Sequence, residues 1–477
     1  MPEQRQGQGQ KQGQLHELSA LEQAAAIRGG ELSPVELVEH YLARIENLNE
    51  RVGAFSYVAA DQARAVASQA EKRLGEDGLP PLFGVPTAIK DLTGTSDMPT
   101  SFGSAAFRGF TPPVEAHLVR LLREAGTISL GKLNSAEFGL SAYSDTYAGS
   151  ARTPWDLTRT AGGSSGGSGA AVAAGLVPFA HGNDAGGSIR VPASVCGVFG
   201  FKASRGRISN GPLGLDPVVQ LCQGPLSRTV ADAAAMLDAM AGPVPGDLFW
   251  APPLPDGESF LGWSRREPGK LRIGRFSDPG SEEVSVHPDV LAAYEQATEL
   301  LVSLGHEVEE IEPPFGRAMV EEFQDVWSVR SLRVPVADEE ELLPLTRHWR
   351  ARGRSVSSER FLGALQDMQL RGTQAMIATQ RYDAVLSPTL ALPPQRPEWF
   401  KELGEETDLK RQFLACPYPA AQNVTGQPSA NVPLHWSDEG LPIGVMLTGR
   451  LGEDAQLLSL CAQLEAARPW AARWPDL

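Results

Sequence analysis

Between Ala161 and Gly200 the chain places two Gly-Gly-Ser turns, at 162 to 164 and 186 to 188, whose serines stand 24 positions apart. Glycine allows backbone conformations and close approaches that a Cβ forbids, so both turns have to be packed tightly by whatever fold forms around them. Gly186 and Gly187 ahead of Ser188 can present successive N–H groups to a small anionic oxygen, which is what an oxyanion hole requires. A phosphate-binding loop does not fit, because there is no GxxxxGK[ST] here and no GxGxxG following a strand.

Around this stretch short apolar runs alternate with helical segments, the pattern of strands joined by crossover helices. The spacing predicts a helix over 115 to 125 ended by Gly126, strands over 127 to 131 and 176 to 181, and a helix over 229 to 241 capped by Thr229. Nearer the N-terminus Ser33 can cap a helix with Pro34 at its first position and Glu36 completing a capping box. Its apolar stripe is Val38, Tyr41, Leu42, Ile45 and Leu48, and an Ala-rich helix follows over 58 to 74.

From 245 to 420 the signals weaken into Pro- and Trp-containing loops, with strands expected at 271 to 274 and 384 to 386 and a helix at 291 to 304. A strand over 443 to 448 and an amphipathic helix over 454 to 467 close the chain. The expected fold class is α/β: one large domain with a central mixed, mostly parallel twisted sheet covered by helices. The Gln/Gly-rich segment 1 to 14 reads as a disordered tail.

A chain of 477 residues could divide, but no Pro/Gly/Ser-rich linker separates apolar-rich halves, and 42% hydrophobic with 21% charged residues is ordinary globular usage. The formal charge of −16 argues against direct nucleic-acid binding, which needs clustered Lys and Arg. Cys196, Cys222, Cys416 and Cys461 are far apart and form neither a CxxC nor a Cys/His ligand pattern, so no disulfide framework and no metal site is expected. Cys196 reads as a small buried filler. There is no signal-peptide stretch and no run of about 18 apolar residues, so a cytoplasmic location without membrane contact is expected.

A serine hydroxyl needs a base. Residues 162 to 166 also fit GxSxG, whose Ser-His-Asp chemistry would call on His287, His306 or His435, but these read as ordinary surface or loop histidines. Lys90 is the stronger candidate: it closes the apolar run Leu82 to Ile89, and burial there disfavours the ammonium. Moving a lysine from its ordinary value to near 7 takes about 4–5 kcal/mol of differential interaction, so Lys90 must be largely desolvated. Taken alone, Lys90 reads better as a surface lysine paired with Asp91.

These residues resemble the amidase-signature enzymes. The resemblance spans most of the chain: GVPTAIKD at 84 to 91, GKLNSAEFG at 131 to 139, RTPWD at 152 to 156, GGSSGG at 162 to 167, NDAGGSIRVPA at 183 to 193, GFKASRGR at 200 to 207, NVTGQPSANVP from 423 and GLPIGVMLTG up to 449. It implies Lys90 as base, Ser164 as a bridging serine after a cis Gly163–Ser164 peptide, and Ser188 as nucleophile. It further implies oxyanion donors among the N–H groups of Ala185, Gly186, Gly187 and Ser188, with Ser165, Asp184 and Arg190 supporting the loop.

The implied reaction is hydrolysis of an amide through an acyl-Ser188 intermediate, with no metal or organic cofactor. The implied domain layout is a single unit over 15 to 477, with N-terminal helices at 15 to 80, a catalytic core at 81 to 242, a variable pocket-forming region at 243 to 420 and a core return at 421 to 477. Phe138, Leu140, Ser141 and Tyr143 are candidates for the pocket wall, each equally a candidate for the core.

Family members often read GxDTGGS or GTDxGGS where this chain reads Gly-Asn-Asp-Ala-Gly-Gly-Ser, so both changes border the oxyanion loop. The segment SVCGVFGFKASRGR is also similar to hydrolases of aminohexanoate cyclic dimers and related aryl amides. The expected partner is a small-molecule amide, and a homodimer stays open. The competing reading is the glutaminase subunit of a tRNA-dependent amidotransferase, weakened because residues 138 to 145 lack that subunit's Met-Gly-Ser-Ser-Thr-Glu-Asn-like run. An idle binding protein on the same scaffold should have lost one of Lys90, Ser164 or Ser188, and all three are present.

Overall fold

Among the described residues thirteen strands form in chain order: β1 (Phe55–Val58), β2 (Pro86–Lys90), β3 (Ile128–Leu133), β4 (Asp145–Thr146), β5 (Gly149–Ser150), β6 (Phe179–Asp184), β7 (Phe199–Lys202), β8 (Cys222–Ser227), β9 (Arg272–Arg275), β10 (Glu307–Glu310), β11 (Ala384–Pro388), β12 (Ser429–Trp436) and β13 (Pro442–Gly449). They are seen in a computed structural model that describes residues 15 to 214, 216 to 316 and 319 to 477. The tail expected at 1 to 14 lies outside the described residues.

Eight strands make one sheet in the order β10-β9-β11-β13-β12-β7-β8-β6, and β1, β3 and β2 make a smaller one. The large sheet is mixed and helix-covered as expected, but it is not mostly parallel. Only β10–β9 and β9–β11 pair in parallel, and the other neighbours are antiparallel. The crossover texture of the sequence is real, since β6 and β7, joined through the helix Arg190–Cys196, run in the same direction. The antiparallel β8 inserts between them, and the β12–β13 hairpin separates the two halves of the sheet.

The two sheets approach each other edge to edge at β2 and β6. Thr87 Oγ1 donates to Phe179 O at 3.2 Å, and three residues further on Lys90 Nζ reaches Asn183. Both strands therefore run the same way and deliver their carboxyl ends to one place, where α/β folds habitually bind ligands.

Two large buried clusters hold most of the core. One lies under Val230–Met240, Pro288–Ser303 and Asp454–Ala467 around Phe179, Phe199, Phe201 and Leu447; the other gathers Leu37, Val38, Tyr41 and Ile45 against Ala170 to Val172. Each fully buried Leu, Ile or Phe side chain contributes roughly 1.5–3 kcal/mol of transfer free energy.

The elements read from the sequence form within a few residues of their expected bounds, and Thr229 caps its helix by accepting from Asp232 N at 3.1 Å. Ser33 caps the helix Pro34–Val52, accepting from Val35 N and Glu36 N, while the full capping box belongs to Ser19 and Glu22 one helix earlier. The region 245 to 420 is a correction. It holds the helices Val320–Ser331, Pro344–Ser355, Ser358–Thr379 and Glu405–Ala415 rather than mainly loops. In Ser358–Thr379 the buried face is small, built on Ala364, Gly372 and Ala375 with Met368, while Leu362, Leu370 and Ile377 are exposed. That inversion blurs the apolar stripe on which helix recognition depends.

The helix Gly166–Ala173 begins where three chain segments touch. A Cβ on Gly167 would stand 2.4 Å from both Ala54 O and Asn134 N, which are backbone atoms with nowhere to go. Gly167→Ala should therefore lower stability by about 1–3 kcal/mol despite alanine's better helix propensity, as read by denaturant unfolding.

Candidate active site

Lys90 ends β2 fully buried. Its Nζ lies 2.7 Å from Ser164 Oγ, 2.7 Å from Asn183 Oδ1 and 3.3 Å from Asn183 O. Burial pushes its pKa well below the ordinary lysine range, Arg330 adds to this, and the Asp184 carboxylate opposes it. Two of its three partners are carbonyl oxygens, which can only accept. A neutral amine gives them its two hydrogens and keeps its lone pair for the Ser164 hydroxyl.

Asp91 is not the partner of Lys90. It lies 3.9 Å from Lys132, which donates to Thr93 O and Thr100 Oγ1, and Lys202 is likewise committed to Ala203 O. Of the three buried lysines among the described residues, Lys90 alone meets a serine of the Gly-Gly-Ser turns. The Gly163–Ser164 peptide is cis, as the resemblance implies.

β6 runs directly into Ala185, Gly186, Gly187 and Ser188. Asp184 anchors the turn: its carboxylate accepts from Gly187 N at 2.7 Å, Ile189 N at 3.0 Å, Asn423 Nδ2 at 2.9 Å and two nitrogens of Arg190 at 2.9 and 3.0 Å. Burial alone would raise this carboxyl, but Arg190 and these donors hold it well below the usual carboxylate range. Ser165 ties the two turns together, its N–H donating to Ser188 O at 3.2 Å and its hydroxyl to Asn183 O at 3.2 Å. Because Gly187 N–H is spent on Asp184, it leaves the expected oxyanion set. The N–H groups of Ala185, Gly186 and Ser188 meet no acceptor among the described residues.

Two chambers meet at Ser188. The first, about 180 Å³, is walled by Phe276, Phe323, Trp327, Trp349 and Tyr418 and reaches Gly163, Gly186, Leu140 and Ser141. The second, about 450 Å³, is walled by Phe102, Phe107, Phe110 and Phe138 and reaches Ser164, Asn183, Ala185, Leu140 and Arg330. Phe138, Leu140 and Ser141 thus line the site.

Tyr143 does not: it lines neither chamber, and its hydroxyl donates to Asp408 Oδ2 at 2.6 Å within the core. The sequence does not mark Asn183, Asn423, Phe323, Trp327 or Arg330 as site residues, although Asn183 is a departure from the family pattern and Asn423 opens the motif NVTGQPSANVP.

None of the histidines lines either chamber. His306 is buried rather than superficial, with Nδ1 accepting from Leu271 N at 3.2 Å. Cys196 fills the core, where burial pushes its thiol up. Among the described residues no group of three or more His, Cys, Asp or Glu is placed to hold a metal ion, and no helix is long and apolar enough to cross a membrane.

The model of the Amidase family matches residues 36 to 458. The chain belongs to the amidase family. As an amidase it is a hydrolase of carbon–nitrogen bonds in amides. It is 36% identical over 489 residues to the 6-aminohexanoate-cyclic-dimer hydrolase of Paenarthrobacter ureafaciens, covering 96% of each chain. The solved structure of a 6-aminohexanoate cyclic dimer hydrolase complexed with substrate superposes with a TM-score of 0.89 at 32% identity, over 97% of this chain and 99% of that one. A bacterial aryl acylamidase of the amidase-signature family follows the same fold with a TM-score of 0.84 at 27% identity, over 96% and 99% of the two chains.

Proposed function

We propose that this amidase acts through Ser188 as nucleophile, Ser164 as proton bridge and Lys90 as base. The observation that carries the reading is the fully buried Lys90 amine held 2.7 Å from Ser164 Oγ and within hydrogen-bonding distance of both carbonyl oxygens of Asn183. Neutral Lys90 takes the Ser164 proton as Ser164 takes that of Ser188, and Ser188 Oγ attacks the amide carbon. The oxyanion is met by the N–H groups of Ala185, Gly186 and Ser188, each such donor being worth about 10²–10³ in rate. The tetrahedral species collapses as the proton returns through Ser164 to the departing nitrogen. Water then cleaves the acyl-Ser188 ester.

Apolar, aromatic walls on the first chamber favour an aryl or extended aliphatic acyl group, the aliphatic choice in keeping with the similar 6-aminohexanoate cyclic dimer hydrolase. They disfavour the glutaminase alternative, whose acyl group is short and polar. We also ascribe pocket formation to the region 243 to 420, the source of Phe276, Phe323, Trp327, Trp349 and Tyr418. Acid-quenching the enzyme during turnover of an aryl amide should leave the acyl mass on the peptide containing Ser188; turnover with no such adduct, or with one on another residue, would refute the assignment.

The role of Asn183 gives a second test. Asn183→Asp puts a carboxylate where the amide oxygen now touches Lys90, favouring the ammonium and moving the lysine's pKa upward by about one to three pH units. Because the neutral amine is the active form, the acid limb of kcat/KM moves to higher pH by that amount. Rates measured at pH 7 fall while those at the alkaline plateau recover; an unmoved limb counts against Lys90 as base.

A further inference from the structure

Resting on the Ser188 reading, we propose that the second chamber receives the amine half of the substrate and that this half carries a carboxylate, bound by Arg330 with Arg333 beside it. The amine half is placed by the proton path. The hydroxyl that must protonate the departing nitrogen is Ser164 Oγ, and Ser164 and Asn183 border the second chamber and not the first. The acyl half is left to the first chamber, which Gly186 and Ser188 line.

The charge follows from the far wall. Arg330 and Arg333 line the second chamber, and no Asp or Glu is among the described residues that do. The nearby carboxylate is Asp216, at 3.6 Å from Arg330 and 3.9 Å from Arg333, beyond hydrogen-bonding distance, and its Oδ2 is already taken by the N–H groups of Gln220 and Leu221. Two guanidiniums against one carboxylate leave a surplus positive charge. Arg330 is held against the Trp327 ring at 5.0 Å, and its Nη1 is buried with no hydrogen-bond partner. A buried guanidinium nitrogen that has a carboxylate 3.6 Å away but no hydrogen bond is under-satisfied, and a second carboxylate is the group whose geometry matches it.

The chamber's approach is also unusually formed. Phe102 and Phe138 both hold left-handed backbone, φ 53° and 51°, joined by the Phe138 N–H donating to Phe102 O at 2.9 Å. Bulky residues avoid this region, and such conformations cluster at ligand sites. The substrate class is then an amide joining an apolar acyl group to an amino-carboxylate. Water adds across the C–N bond, its hydroxyl going to the acyl carbon and its other proton to the amine nitrogen, releasing a carboxylic acid and a free amino acid.

The test is a pair of amides that differ only in that group, N-benzoyl-β-alanine and N-benzoylpropylamine. Wild-type kcat/KM should favour the carboxylate by about ten- to a hundredfold, mostly through KM, and Arg330→Met should collapse that ratio while Arg330→Lys keeps part of it. Should Arg330→Met fail to fold, competitive inhibition of the wild type by β-alanine but not by propylamine carries the same prediction. If neither amide is turned over, calorimetric binding to Ser188→Ala decides, with preference for the carboxylate expected. No preference in the wild type, or a ratio that survives in Arg330→Met, overturns the proposal while leaving the Ser188 reading standing. Turnover that survives in Ser188→Ala overturns that reading instead.

Discussion

Ser188→Ala is expected to lose about 10⁴–10⁶ in kcat on any amide the enzyme hydrolyses, with the fold and its melting temperature unchanged. The alanine removes only the hydroxyl at the junction of the two chambers, and Ser165 N–H still finds the same backbone carbonyl. Lys90→Ala should fall by a similar factor, and the double variant should be little worse than either single one, because groups that act as a unit fail together. The outcomes separate the proposed relay from a Ser-His-Asp arrangement on the GxSxG stretch. In that case Ser164→Ala would abolish the covalent intermediate while Ser188→Ala would leave it. Stopped-flow or quenched-flow turnover of an aryl amide, with mass analysis of the trapped enzyme, reads both.

The same relay fixes the pH dependence. Burial, aided by Arg330, lowers Lys90, so the neutral base is present from well below the usual lysine value upward. Activity should rise with pH through a single ionisation in that lowered range and show no acid limb near the ordinary lysine pKa.

Much of this site was legible because it is local. The apolar run before Lys90 announces its burial, and the Gly-Gly-Ser turns announce close packing around Ser164 and Ser188. What escaped depends on distance along the chain or on context. Asn423 is 239 residues from Asp184, and no spacing pattern links them. Tyr143 looks the same in sequence as a pocket aromatic, and only its bond to Asp408 places it in the core. Phe323, Trp327 and Arg330 belong to a helix whose charged and apolar residues mix, so periodicity is faint there. The sheet's antiparallel majority was hidden because crossover helices reveal the direction of successive strands but not which strand is inserted between them.

Arg190→Met should cost about 3–5 kcal/mol of stability at neutral pH and remove most activity. Arg190 is fully buried and gives two hydrogen bonds to Asp184, with others to Gln422 and Asn423. Methionine fills the space but leaves Asp184 as a buried carboxylate with its counter-charge gone. In the wild type Asp184 is depressed, so its contribution is fully present above the unfolded value of about 3.9 and is lost only as pH falls through the still lower folded value.

In the variant burial dominates and the folded pKa rises above the unfolded one, so protonation relieves the penalty as pH falls through that raised value. The gap between the two proteins in denaturant unfolding should therefore be widest near neutrality and narrow on acidification; a gap independent of pH would mean that the loss is one of packing alone. Arg190→Met with Asp184→Leu, which removes both charges, should recover part of the stability, since an apolar pair often replaces a buried ion pair without loss. It should recover none of the turnover, because the Gly187 and Ile189 N–H groups that fix the Ser188 turn would still have lost their acceptor.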